Sequence, residues 1–232
     1  MKRDFKKLCL IQNQKLVSMG LVFETFGNVS QRIDSDHFTI KPSGVDLTKI
    51  KKDDFPVINI ENGKVIGSTK FKPSSDTPTH QYLYKKFPEI GGISHTHSVY
   101  ATAWSQSNKP IPILGTTHAD YSNIEIPITK ILKPKEINNN YELNTAISIY
   151  KRLKIGKMSI NKIPGILINN HGPISWGIDS IEAVNRSNII EFLAKLAFKT
   201  LLINPKSKIS RSLIAKHFER KNGKNRYYGQ IK

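Results

Sequence analysis

The chain holds one cysteine, Cys9, so no intrachain disulfide can form, and this usage fits a reducing cytoplasm. No apolar run approaches the roughly eighteen residues of a membrane-spanning helix. The N-terminal Met1-Lys2-Arg3-Asp4-Phe5-Lys6-Lys7 is basic. It leads into neither a long apolar stretch nor a small-residue cleavage site, so no secretory signal is expected. Acidic residues are scarce: 18 Asp and Glu against 36 Lys and Arg leave a net charge of +18. Such a field attracts anions, from nucleic acids to phosphorylated metabolites. The lysines are spread along the chain beside abundant Ile and Asn, and we read the excess as compositional drift on a solvated surface. Nucleic-acid binding is the competing reading; the basic tail around Tyr227-Tyr228 is its best candidate.

What is present points to one α/β domain spanning 1–232. At 38 % hydrophobic residues and a mean hydropathy of −0.38 the chain is soluble in character, and its 232 residues can bury a sizeable core. Residues 4–19 carry Phe5, Leu8, Ile11, Leu16 and Met19 at helical spacing, closed by Gly20. Residues 22–26 alternate like a strand, as do 37–40 and 124–128. Asn62-Gly63 between two apolar stretches predicts a hairpin. Thr77-Pro78 opens a helix to about Phe87, residues 92–97 form a strand, and 135–153 form a helix. Ile166-Leu167-Ile168 is a buried strand running into a His-Gly-Pro turn. Asp179 and Glu182 frame a capping box for a helix to about Ile203, and a last helix covers about 208–220.

The densest polar cluster is Ser94-His95-Thr96-His97. Two positions apart on a strand, His95 and His97 present both imidazoles to one face. Alone the pair is weak evidence. With Asp76 before a helix and His171 at a strand end it becomes a set suited to Zn²⁺ or another divalent transition ion. Three small-residue turns form a second set: Gly27-Asn28-Val29-Ser30, Lys41-Pro42-Ser43-Gly44 and Ser74-Ser75-Asp76. Each taken singly is an ordinary turn. Repeated, their backbone N–H groups and hydroxyls suggest a phosphate pocket, although no Walker loop is present.

These motifs occur in order with Gly115-Thr116-Thr117-His118-Ala119-Asp120-Tyr121, His171-Gly172-Pro173 and Tyr227-Tyr228-Gly229-Gln230. Together they resemble the class II aldolase/adducin-like family, in its branch that epimerises L-ribulose 5-phosphate at C4, over nearly the whole chain. The resemblance implies a three-layer α/β/α fold around a mostly antiparallel sheet, and a homotetramer with sites at subunit interfaces. It implies Zn²⁺ on His95, His97 and His171 with Asp76 as a further ligand. It places the substrate phosphate against Gly27, Asn28, Lys41, Ser43, Gly44, Ser74 and Ser75. Asp120 and Tyr228 would be the acid/base pair, with the tail bearing Tyr228 reaching a neighbouring subunit. A sugar-phosphate aldolase is the alternative; such relatives carry glutamate where this chain has Asp76. A non-enzymatic adducin-like module would lack the histidines. No membrane and no specific nucleic acid are expected as partners.

Overall fold

The structure is a computed structural model describing residues 4–224, 226 and 227. Seven strands of the described residues lie in one sheet: β1 (Asn28–Arg32), β2 (His37–Ile40), β3 (Val57–Asn59), β4 (Val65–Ile66), β5 (Gly92–His95), β6 (Gly165–Ile168) and β7 (Gly172–Gly177). Their order is β4-β3-β2-β1-β5-β7-β6, with each neighbouring pair antiparallel. Among the described residues eight α-helices accompany them: α1 (Phe5–Ser18), α2 (Thr77–Lys86), α3 (Val99–Gln106), α4 (Thr116–Ala119), α5 (Pro134–Asn138), α6 (Tyr141–Ile155), α7 (Ser180–Ile203) and α8 (Arg211–Asn222).

Alternation along the strands divides these helices into two layers. Phe38, Ile40, Ile93, Ile166, Ile168, Ile174 and Trp176 point to one face and pack with Leu83 and Tyr84 of α2 and Ile149 and Leu153 of α6. Val29 faces the other way, against Leu16 of α1 and Val184 of α7, and Leu167 meets Ala101 of α3 and Ile190 of α7. The result is the expected α/β/α sandwich.

Local signals account for most boundaries. Asp4 accepts from the Lys7 N–H at 3.0 Å to cap α1, and Gly20 ends it at φ +65°. Asn62-Gly63 turns the β3–β4 hairpin, with Gly63 at φ +71°. Asp179 caps α7 by accepting from Glu182 N–H at 2.9 Å, while the Glu182 carboxylate accepts from Ile178 N–H at 2.8 Å.

Five expectations are corrected. Residues 22–26 are not a strand: Glu24 turns at φ +50°, and sheet pairing begins only at Asn28 opposite His95. Residues 124–128 make isolated bridges from Ile126 and Ile128; Pro127 between them has no N–H to extend a ladder. The helix expected over 135–153 is two, α5 and α6, broken where Asn140 takes a left-handed conformation (φ 56°, ψ 52°). The strand expected over 92–97 stops at His95. The chain beyond His171 is strand β7 and not only a turn.

Candidate metal centre and phosphate pocket

Three chain segments bring the imidazoles together. His95 ends β5 and is buried, with its ring Nδ1 3.0 Å from the Pro173 carbonyl, which accepts from it and leaves Nε2 facing inward. His97 lies two residues on, past the strand, yet its Nε2 is 3.1 Å from that of His95. His171 sits in the β6–β7 hairpin, where Asn170 takes φ 56°, a conformation that asparagine tolerates well. One nitrogen from each of the three rings lies within 4.8 Å of the other two.

This arrangement fits a divalent ion. Burial comes first among the causes that push all three imidazoles below their ordinary pKa, with a neighbouring ring adding to the effect at each. The shifts favour the neutral rings, one nitrogen of each lies within 4.8 Å of the other two, and neutral imidazole is the form that ligates metal.

Asp76 completes one wall. It stands at the N-cap position of α2 but makes no capping hydrogen bond. Its Oδ2 instead accepts from Asn28 Nδ2 at 2.6 Å. Burial raises its pKa, but the imidazoles of His95 and His80 and the Asn28 amide outweigh that and hold it below the usual carboxylate range. Asp76 lies beside the histidines without belonging to the trio whose ligand atoms are mutually within 4.8 Å.

The three turns meet at the same place. A cavity of about 350 Å³ is lined by Gly27, Asn28, Lys41, Ser43, Gly44, Ser74, Ser75 and Asp76 together with the three histidines. Gly27 is required there: at φ +74° a Cβ would lie 2.6 Å from Val22 Cγ1 and 2.8 Å from the His95 carbonyl. The Ser74 N–H donates to the Lys41 carbonyl at 3.0 Å, tying two of the turns together. Lys41 is only 3 % exposed and its ammonium donates to the Thr25 carbonyl at 2.8 Å. Burial lowers its pKa, and among the described residues no carboxylate stands at salt-bridge distance from it. A desolvated cation beside neutral donors is suited to an anion.

The structure does not bring Asp120 to this cavity within its own chain. It sits at the end of α4, where Arg220 and His217 of α8 donate to its carboxylate at 3.0–3.3 Å. Burial pushes Asp120 up, and those bonds outweigh it to hold the carboxyl below its ordinary range. Tyr228 lies outside the described residues. Sequence reasoning missed Tyr141, whose hydroxyl is 3.1 Å from His171 Nδ1, and Phe26, whose ring stacks on His97 at 5.6 Å. The asparagine run 138–140, which breaks the helix just before Tyr141, was the available signal.

Residues 9–198 match the Class II Aldolase and Adducin N-terminal domain model. The chain belongs to that family. It is 42 % identical, over 99 % of its length and 96 % of the relative's, to a Mycoplasma pneumoniae protein named "Probable L-ribulose-5-phosphate 4-epimerase UlaF". Among solved structures, an L-fuculose 1-phosphate aldolase superposes with a TM-score of 0.74 at 25 % identity, covering 93 % of this chain and 96 % of that one. A sugar-phosphate aldolase from Thermotoga maritima shares the fold at TM-score 0.66 and 18 % identity, covering 90 % and 97 %.

Proposed function

We propose that this chain, acting as one domain, epimerises L-ribulose 5-phosphate at C4 to D-xylulose 5-phosphate in the cytoplasm, as a step of pentose catabolism. The observation that carries the reading is the junction of three converging neutral imidazoles and an uncapped Asp76 with the phosphate-suited turns. The 42 % identity to a protein named as such an epimerase supports the choice of reaction within the family.

The hydrogen on C4 is not acidic, so deprotonation there cannot invert the centre. Breaking the C3–C4 bond can: its electron pair is delocalised onto the C2 carbonyl oxygen, and C4 becomes an aldehyde. A Zn²⁺ ion on His95, His97 and His171, with Asp76, would supply Lewis-acid stabilisation for that charge. Asn28, Lys41 and the backbone N–H groups and hydroxyls of the turns hold the phosphate, so the aldehyde fragment stays while it turns its other face. Re-addition restores the bond with C4 inverted. One group takes the C4 hydroxyl proton and another returns a proton on the opposite face; Asp120 and Tyr228 of a neighbouring subunit fill these roles in a homotetramer.

An aldolase would release the fragments as dihydroxyacetone and glycolaldehyde phosphate. The fuculose-phosphate aldolase likeness favours that second reading. A coupled assay decides: D-xylulose 5-phosphate formed from L-ribulose 5-phosphate and abolished by a chelator supports epimerisation. Accumulation of the two fragments would replace it with the aldolase.

A further inference from the structure

His80 belongs to neither the metal set nor the phosphate set, yet it is wholly buried on α2 directly behind the centre. Its Nδ1 is 2.7 Å from Ser30 Oγ of β1, which in turn is 2.8 Å from the Tyr84 hydroxyl. The opposite edge of the ring, Nε2, is buried with no hydrogen-bonding partner among the described residues. An unpaired buried polar group costs about 1–3 kcal/mol, and native interiors seldom leave one. His80 lines a cavity of about 10 Å³ together with Asp76, His95, Tyr141, Thr145 and His171. The space suits one water molecule, and the walls are polar enough to hold it.

We propose that one buried water in this cavity links His80 Nε2 to the Asp76 carboxylate, making His80 a positioning residue for Asp76. A carboxylate only accepts, so the water donates one proton to Asp76. In the proposed link the water's lone pair accepts from His80 Nε2–H, and bare Nδ1 accepts from the Ser30 hydroxyl. Ser30 has then spent its one proton and accepts from Tyr84. Tyr84, Ser30, His80 and the water all donate the same way, towards Asp76. With Asn28 Nδ2 donating to Oδ2 at 2.6 Å, Asp76 is oriented from two sides, which offsets the capping bond it does not make. Only the last link rests on the reading of Asp76 as a metal-site residue.

The test begins on the unaltered protein. ¹⁵N NMR of the His80 ring, with and without Zn²⁺, is expected to show Nε2 protonated and Nδ1 bare in both forms. A high-resolution crystal structure is expected to show a water about 3 Å from Nε2 and from Asp76. Zn²⁺ affinity by chelator competition should fall roughly 10–100-fold in His80→Leu. His80→Gln, which keeps a side-chain N–H donor, should restore most of it at a similar melting temperature. A proton on Nδ1, a dry cavity, or His80→Leu binding Zn²⁺ as tightly as the parent overturns the proposal. If His80→Leu does not fold, the NMR and crystallographic results decide alone. Failure of the chain to bind Zn²⁺ at all would defeat the metal reading while leaving the water and the tautomer measurable in the metal-free protein.

Discussion

At the scale of single residues, the cavity separates groups that act through charge from groups that act through placement. Neutral imidazoles ligate only while unprotonated, and burial holds all three below their ordinary pKa, so metal retention should persist in mild acid and fail as the rings protonate. Metal analysis across a pH series checks this, and a His95→Ala/His97→Ala double variant should carry no zinc at any pH. On the phosphate side, Ser75→Ala removes a donor to a dianion, worth on the order of 1.5–3 kcal/mol, and should raise KM accordingly. Asn28→Ala should raise KM and weaken zinc binding together, because the same amide holds Asp76. Lys51→Ala and Lys52→Ala, both at exposed positions, should shift KM by at most a few tenths of a kcal/mol at physiological salt. Equal KM effects from the lysines and from Ser75 would mean that the general positive field, not the turns, holds the phosphate.

At the scale of elements, α8 is held to the body of the chain largely through Asp120. Phe218 is buried, and Arg220 and His217 converge on one carboxylate. The folded pKa of Asp120 is depressed, so its contribution is complete above the unfolded value of about 4 and is lost as pH falls through the lower folded value. Asp120→Asn should cost about 1–3 kcal/mol, between exposed and buried pairs. Hydrogen exchange should show the loss first in 211–222; uniform loosening of the whole chain would contradict a local clasp. Legibility divides at this scale too. α1, α7 and the β3–β4 hairpin were readable because Asp4, Gly20, Asp179 and Asn62-Gly63 act on their immediate neighbours. Residues 22–26 have the alternation of a strand but pair with no edge, and 124–128 reach their neighbours only through the isolated bridges of Ile126 and Ile128, since pairing is a property of the fold. The grouping of His95, His97 and His171 was legible because each histidine sits in a local motif. Tyr141 and His80 were not, since their roles arise where α6 and α2 pack behind β5.

At the scale of the whole molecule, one chain does not account for all its own surfaces. Along α7, Phe192 is 52 % exposed, Leu202 68 % and Ile203 86 %, opposite a buried stripe of Ile190, Ala194 and Ala197. These exposed apolar side chains, interspersed with exposed Lys195 and Lys199, have the character of an interaction surface. Near the metal turn Val99 and Phe26 are exposed as well, while Asp120 is turned to α8 and away from the cavity of its own chain. A cyclic assembly resolves both features if one chain supplies the metal and phosphate side of a site and its neighbour supplies Asp120 with the segment that follows α8. Because α8 is clasped to Asp120, the two travel together, and variants of Asp120 and Tyr228 should not rescue one another. A different pair should. His97→Ala damages only the metal side of a site and Asp120→Asn only the opposite side, so each homo-oligomer should be nearly inactive. After co-refolding at equal amounts, a site draws each side independently with probability one half. Roughly a quarter of sites are then intact, a counting estimate for a closed ring with heterologous contacts. Native mass spectrometry establishes that the chains have mixed; mixed oligomers with no recovered activity would place Asp120 and the metal ligands of each site on the same chain.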